Sequence, residues 1–252
     1  SAQTFQRFIN EVFFSFDFVF TYIDDILIAS SNEKEHMEHL RLVFEQLDKF
    51  GLNIKPSKCV FGQESLDFLS YQISKNGIQP SKDRIEAISS FEKPLTVKKL
   101  QKFLGMINYY HRCIPMLAKD LIPLHNLVTE GNKAKINIIK WTQEAEEAFN
   151  IVRLKFTEKT LITHYNKVAK ISLAVHASGA VGSVLQQLNG IIWEPLAYFS
   201  RKLSSTEKRY STFDRELLAI YLSVKHFKYF LEGHTFTIFT FCFSSSSALS
   251  FS

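Results

Sequence analysis

A chain of 252 residues, 46% hydrophobic and 22% charged, is long enough for two or three small domains with real cores and has an ordinary globular composition. Thirty basic against 25 acidic residues give a net charge of +5, which suits a polyanionic partner without requiring one. The absence of any run of about 18 apolar residues excludes a membrane-spanning helix, and three isolated cysteines, Cys59, Cys113 and Cys242, exclude a disulfide framework and point to a reducing compartment.

The chain opens on Ser1 and not on Met, so a piece of something longer is expected, and no signal peptide is evident. Residues 21–30 read TYIDDILIAS, with strand-like aromatic and β-branched residues on both sides of Asp24 and Asp25. No lysine or arginine lies between Arg7 and Lys34 to answer those charges. A hairpin with Asp-Asp at an exposed turn is one reading, since aspartate suits turns. Hairpin turns, however, favour Asn-Gly or Asp-Gly. The other reading is a carboxylate pair presented to a hard divalent ion, which takes one or two protein carboxylates and completes its shell with phosphate oxygens. Residue chemistry alone leaves both open.

The segment after the hairpin predicts a helix, with Asn32 and Glu35 as a capping box, Met37, Leu40, Phe44 and Leu47 at helical spacing and Gly51 as the stop. His36 and His39 share a face of it, but without further ligands at a known spacing they read as part of a solvated polar face. Strand-like pieces LNI, KCVF and LDFLSYQIS follow, and Gly77 and Pro80 mark a boundary. Two helical patterns come next, SKDRIEAISSF and TVKKLQKFLGMINYYHRCI, the second with Val97, Leu100, Leu104, Ile107 and Ile114 inward. From Lys93 to Lys119 there is no acid, whereas Lys98, Lys99, Lys102 and Arg112 are basic and Tyr109, Tyr110 and His111 are interleaved. Such a run is either a solvated face or a helix lying along a phosphate backbone. Beyond Gly131 the chain alternates: helix WTQEAEEAFNIVRLKF, strands ISLAVHAS, VGSVLQQ and WEPLAYF, helix STFDRELLAIYLSVKHFKYFLEG, strand HTFTIFT. That order argues for a mixed-sheet α/β domain. The tail FCFSSSSALSFS is low-complexity, with no period of its own.

These stretches in this order resemble the reverse transcriptase and ribonuclease H region of a gypsy-type LTR-retrotransposon Pol polyprotein. YIDDILIAS resembles the Tyr-x-Asp-Asp hairpin of the polymerase palm, KPSKCVF and FLSYQIS the palm segments after it, and TVKKLQKFLGMINYYHRCIP the thumb or connection. WTQEAEEAF resembles the link that follows, and AYFSRKLSSTEKRYSTFDRELLAIYLSVKHFKYFLEG the ribonuclease H core. The resemblance implies an α+β and α/β multidomain chain. It divides into a C-terminal part of the palm (1–78), thumb or connection helices (79–135), an incomplete ribonuclease H-like domain (136–241) and a tail (242–252).

The resemblance also implies site residues. Asp24, with Asp25 beside it, would hold magnesium or manganese together with a third aspartate from a strand that precedes this chain. Lys58 matches a lysine proposed to protonate pyrophosphate, though an ordinary surface lysine is the alternative. Tyr71 falls where the family grips the primer, and the family has Gly-His where this chain has Ser70-Tyr71. Lys98, Lys99 and Lys102 would meet phosphates. In the ribonuclease H half, Glu216 matches the helix glutamate and a metal ligand. His176, in VHAS, and Phe241 stand where two aspartates belong, so two ligand positions are lost. The partners implied are RNA/DNA hybrid or primer-template, deoxynucleoside triphosphates and other Pol domains, with no membrane, in an intracellular and particle-associated setting. The function expected is a reverse transcriptase/ribonuclease H fragment, catalytically incomplete as this chain. The alternatives are a non-catalytic nucleic-acid-binding module or a degenerate relic.

Overall fold

The computed structural model describes residues 1–135, 137–158, 161–240 and 247–251, the last as backbone only. The chain divides into two compact units, residues 1–68 and 69–252.

In the first unit α1 (Ala2–Val12) leads into the hairpin of β1 (Val19–Tyr22) and β2 (Asp25–Ile28). Then come α2 (Glu33–Lys49), a 3₁₀ turn at Pro56–Lys58 and the short strand β3 (Ser65–Phe68). The capping box is real: Asn32 Oδ1 accepts the Glu35 N–H at 2.9 Å, and Glu35 reaches back to the Ser31 N–H. The core is Ile9, Val12 and Phe13 of α1 and the following turn against Val43 and Leu47 of α2, sealed by Phe16, Phe18 and Ile26. The inward face of α2 therefore differs from the expected one. Met37 is 64% exposed and Phe44 40% exposed, while Val43 is buried. His36 and His39 are not on a solvated face: both are half-buried, both ring Nδ1 atoms meet the Ser30 hydroxyl, and His39 stacks on Phe18. The strands expected at LNI and KCVF are irregular chain and the 3₁₀ turn; Pro56 removes a ladder donor there.

The second unit begins with a hairpin, β4 (Tyr71–Ser74) and β5 (Gly77–Pro80), so Gly77 and Pro80 bound a strand rather than a break. The helices α3 (Lys82–Ser89), α4 (Val97–Tyr109), α5 (Leu117–Asp120), α6 (Ile122–Ala134) and α7 (Gln143–Thr157) then bury one shared core. It is formed by Ile88, Leu100, Phe103, Ile107, Leu124, Phe149, Val152 and Phe156. The inward residues expected of α4 are the ones buried, and Ile114 joins them just past the helix.

A five-stranded sheet follows, made from β6 (Ile171–Ala177), β7 (Ala180–Asn189), β8 (Ile192–Lys202), β9 (Phe236–Thr240) and β10 (Ser247–Phe251), in the order β10-β9-β6-β7-β8. β6, β7 and β8 form an antiparallel meander. The crossover helix α8 (Thr212–His226), with its short continuation α9 (Lys228–Leu231), returns the chain to β9, parallel to β6. The serine-rich tail, in which the sequence shows no period, holds β10, paired antiparallel to β9. α8 packs through Ala219 on the face carrying Leu173, Val175 and Leu185. The opposite face receives the α5 segment: the Ala118 N–H donates to Ser200 Oγ at 2.9 Å, and Met116 occupies the space above Gly182, where an added Cβ would lie 1.9 Å from its Sδ.

At Gly77 the backbone itself calls for glycine. Its φ is 137°, and a Cβ would sit 2.2 Å from the Ile162 carbonyl oxygen, where Ile78 and Ile162 exchange backbone hydrogen bonds. Gly77→Ala should cost about 2 kcal/mol or more, from a disfavoured backbone conformation plus a backbone clash. Chemical denaturation of wild type and variant checks this as a lowered midpoint at unchanged slope.

Candidate active site and nucleic-acid interface

The paired aspartates sit at the end of the β1–β2 hairpin. Tyr22 pairs with Asp25, which leaves Ile23 and Asp24 as a two-residue loop. Such loops need positive φ, because only the primed turns match the twist of the flanking strands. Ile23 supplies it, with φ 51°, although a β-branched residue there costs about 1–2 kcal/mol. Helix α1 holds the turn in this state. Gln6 Oε1 accepts the Ile23 N–H at 2.6 Å, and Gln6 Nε2 donates to the Thr21 carbonyl at 3.3 Å and to Asn10 Oδ1 at 2.8 Å. The Thr21 hydroxyl also donates to Asn10 Oδ1, at 2.9 Å.

Asp24 and Asp25 are both exposed. Among the described residues no third histidine, cysteine or acid joins them in a metal-binding group. The two readings of the motif are thus compatible: an exposed turn presents carboxylates that fit one or two positions around a hard divalent ion. Lys58 is exposed at the end of its 3₁₀ turn. Gln6 and Asn10 were not singled out from the sequence. The signal for them is two amides four residues apart on one helix face just ahead of the hairpin.

Glu216 is placed differently. Ser211 caps α8 by accepting the Asp214 N–H at 3.1 Å, and one turn further the Glu216 side chain turns inward, 4% exposed. Its Oε1 accepts the Ala177 N–H at 2.9 Å and its Oε2 accepts the Thr240 hydroxyl at 2.8 Å. His176 Nδ1 lies 3.6 Å from Oε1. The carboxylate therefore ties α8 to the ends of β6 and β9. Each oxygen accepts one hydrogen bond from the fold, the ionisable side chain beside it is an imidazole, and no metal-binding group of three includes it among the described residues. This arrangement does not fit magnesium, which needs several hard oxygen ligands. Phe241, the other lost ligand position, lies outside the described residues.

Tyr71 belongs to a cluster of three tyrosines. The turn before β4 places Leu69 at φ 52° and Ser70 at φ 65°. Tyr109 and Tyr110 at the end of α4 donate their hydroxyls to the carbonyls of Leu69 (2.9 Å) and Ser70 (3.2 Å), and Tyr71 donates its own to the Tyr109 carbonyl at 3.1 Å. The Tyr71 ring lies 5.2 Å from that of Tyr110 and 5.6 Å from that of Tyr109, and burial pushes its phenol well above the usual range. The cluster anchors one end of α4 to the β4 hairpin.

At the other end of α4, Thr96 caps by accepting the Lys99 N–H at 3.3 Å. No acid occupies the first turn, and Lys98, Lys99 and Lys102 are exposed. Cations at a helix N-terminus oppose the macrodipole, so these lysines concentrate positive potential where the backbone already carries it. Lys93 does not belong with them, because it pairs with Glu146 and lies over the Trp141 ring.

Comparisons with known proteins agree with this layout. The family described as reverse transcriptase (RNA-dependent DNA polymerase) matches residues 1–73, and the RNase H-like domain found in reverse transcriptase matches 141–238. Together with the fold, these matches define a reverse transcriptase segment joined to an RNase H-like domain. The Tf2-3 and Tf2-4 transposon polyproteins of Schizosaccharomyces pombe are 34% identical over 233 residues, covering 91% of this chain and 17% of each polyprotein. Two structures of the foamy viral protease-reverse transcriptase, one with RNA/DNA hybrid and one with dsDNA, are similar to the fold at TM-score 0.83 and 20% identity. They cover 96% of this chain and 32% and 50% of theirs. The chain belongs to the reverse transcriptase and RNase H-like region of LTR-retrotransposon Pol polyproteins, and spans about a sixth of the length of the curated relatives it matches.

The turn at Leu69–Ser70 carries a measurable cost. Ser70→Gly removes the Cβ penalty of the left-handed conformation, and should stabilise the protein by up to about 1 kcal/mol after glycine's own entropy loss. Thermal unfolding at fixed pH reads this as a raised midpoint.

Proposed function

We propose that this chain serves as part of the template- and primer-handling core of a retrotransposon reverse transcriptase, with a metal-binding carboxylate pair on the palm side and an RNase H-like domain that does not itself hydrolyse RNA. The observation that carries this reading is the contrast between its carboxylates. Asp24 and Asp25 are exposed at a held turn, while Glu216 is buried with both oxygens bonded inside the fold.

On this reading Asp24 and Asp25 are two ligands for magnesium or manganese, which when bound would activate a primer 3′-hydroxyl and stabilise leaving pyrophosphate. Lys58 would meet the pyrophosphate, and Tyr71 would support the primer side through the tyrosine cluster. Lys98, Lys99 and Lys102 would follow a phosphate backbone. The nucleic acid is of the kind named for the structural neighbours, RNA/DNA hybrid or duplex DNA. Deoxynucleoside triphosphates and other Pol domains would be partners of the parent polyprotein, in the intracellular setting of the family. Among the described residues no helix is long and apolar enough to cross a membrane.

This chain alone should not extend a primed template above the level of an Asp24→Ala control, because two carboxylates without a third do not assemble the metal pair. A primer-extension assay with magnesium or manganese tests that. Binding needs no metal pair. Four to six phosphate contacts predict a log–log salt slope of about −3 to −5 for hybrid duplex. Replacing Lys98, Lys99 and Lys102 with glutamine should flatten it by about 2 to 3 units with the fold intact. Coincident slopes for wild type and triple variant would make the lysines a solvated face only.

A further inference from the structure

The paired aspartates owe their presentation to a residue outside their own motif. We propose that Gln6, backed by Asn10, is the positioning residue of the Asp24–Asp25 turn, and that without it the carboxylates lose the geometry needed to bind a divalent ion. The proposal rests on the metal role given to this pair above.

Ile23 is the only residue of the loop in the left-handed region, at φ 51°, and its β-branched side chain makes that conformation unfavourable unless something outside the turn secures it. One side chain does so from both directions. The Gln6 amide oxygen accepts the Ile23 N–H at 2.6 Å and its nitrogen donates to the Thr21 carbonyl at 3.3 Å, so the primary amide spans the backbone on the N-terminal side of Asp24. Asn10 fixes which way that amide points. Its Oδ1 accepts from Gln6 Nε2 at 2.8 Å and from the Thr21 hydroxyl at 2.9 Å, which requires the Gln6 oxygen to face Ile23. Gln6 is itself half-buried against the hairpin, and its helix is anchored in the core by Ile9, Val12 and Phe13. The rigid element is therefore α1, and the turn is read off it. A carboxylate pair on a free two-residue loop would sample several orientations, whereas a metal site needs its ligands held to a fraction of an ångström.

Three properties separate a positioning role from a merely structural one. Glutamate at position 6 keeps the acceptor for Ile23 but loses the donor, methionine keeps only the length, and glycine at position 23 removes the strain that the clamp holds. The test uses the full chain, labelled for amide hydrogen exchange by NMR and titrated with Mn²⁺ as the probe. Gln6→Met should speed exchange at Ile23 about tenfold or more relative to the α2 amides, while Gln6→Glu stays within about threefold of wild type. Paramagnetic broadening of the Asp24 and Asp25 amides should require about 3- to 10-fold more Mn²⁺ in Gln6→Met, and the added Ile23→Gly change should recover most of that loss.

Unchanged Ile23 exchange in Gln6→Met would overturn the clamp. So would a loss of Mn²⁺ response that Ile23→Gly leaves unrecovered, which marks a general structural defect. Where Gln6→Met melts residues 1–68 as a whole, Gln6→Glu decides: protection kept at Ile23 supports the clamp, and protection lost with α2 intact refutes it. A wild type whose Asp24 and Asp25 signals ignore Mn²⁺ refutes the metal role alone, and the exchange comparison still judges the clamp.

Discussion

A carboxylate in a folded chain has to be solvated or partnered, and this protein answers that requirement in two opposite ways. At the β1–β2 tip the answer is exposure. Asp24, in the two-residue loop, and Asp25, at the first position of β2, are exposed at the end of a hairpin whose Val19, Ile26 and Ile28 pack on the α1–α2 core. In the RNase H-like sheet the answer is enclosure, with the Glu216 oxygens bonded to the Ala177 N–H and the Thr240 hydroxyl where α8 meets β6 and β9. The first arrangement leaves acceptor capacity free for a ligand. The second spends one hydrogen bond per oxygen on holding the sheet and its crossover helix together, so a carboxylate is left open at the surface of one unit and ties elements together in the other.

Two turns carry a local backbone cost that side chains offset. Ile23 is left-handed and is held by an amide from α1. Leu69 and Ser70 are left-handed in succession, and their carbonyls are taken by two tyrosine hydroxyls from the end of α4. In both cases a turn that its own sequence disfavours is imposed by a helix packed in a core. The consequence for α4 is a division of labour along its length: tyrosines fasten its C-terminal end to the β4 hairpin, while lysines at the N-terminal end remain free of acids and face solvent. The basic run visible in the sequence is thereby split, since Lys93 pairs with Glu146 while the α4 lysines, Arg112 and Lys119 are exposed.

Much of this was legible in the residues. The Asp-Asp hairpin, the capped helix from Glu33, the inward face of α4 and the strand–helix–strand alternation after Gly131 all follow from local period and capping chemistry, which act over a few residues. The order of those elements carried the family resemblance. Three features were not legible, and each depends on a neighbour remote in sequence. The helix at Ala2–Val12 matters because Gln6 and Asn10 reach the turn at Ile23. The inward face of α2 keeps the expected Leu47 but buries Val43 in place of Met37 and Phe44, in a core shared with Phe13, Phe16 and Phe18. The strand at Ser247–Phe251 forms because β9 offers an open edge, not because its own composition favours one.

The sequence by itself therefore determined which carboxylates, lysines and tyrosines the chain carries, in which elements, and to which family they belong. Tertiary structure alone decided which of them are free. Exposure at Asp24 and Asp25, enclosure at Glu216, the tyrosine hydroxyls committed to backbone carbonyls and the pairing of Lys93 all result from packing between segments far apart in the chain. Hydrogen-bond partners and solvent access are properties of that packing, and no local pattern encodes them.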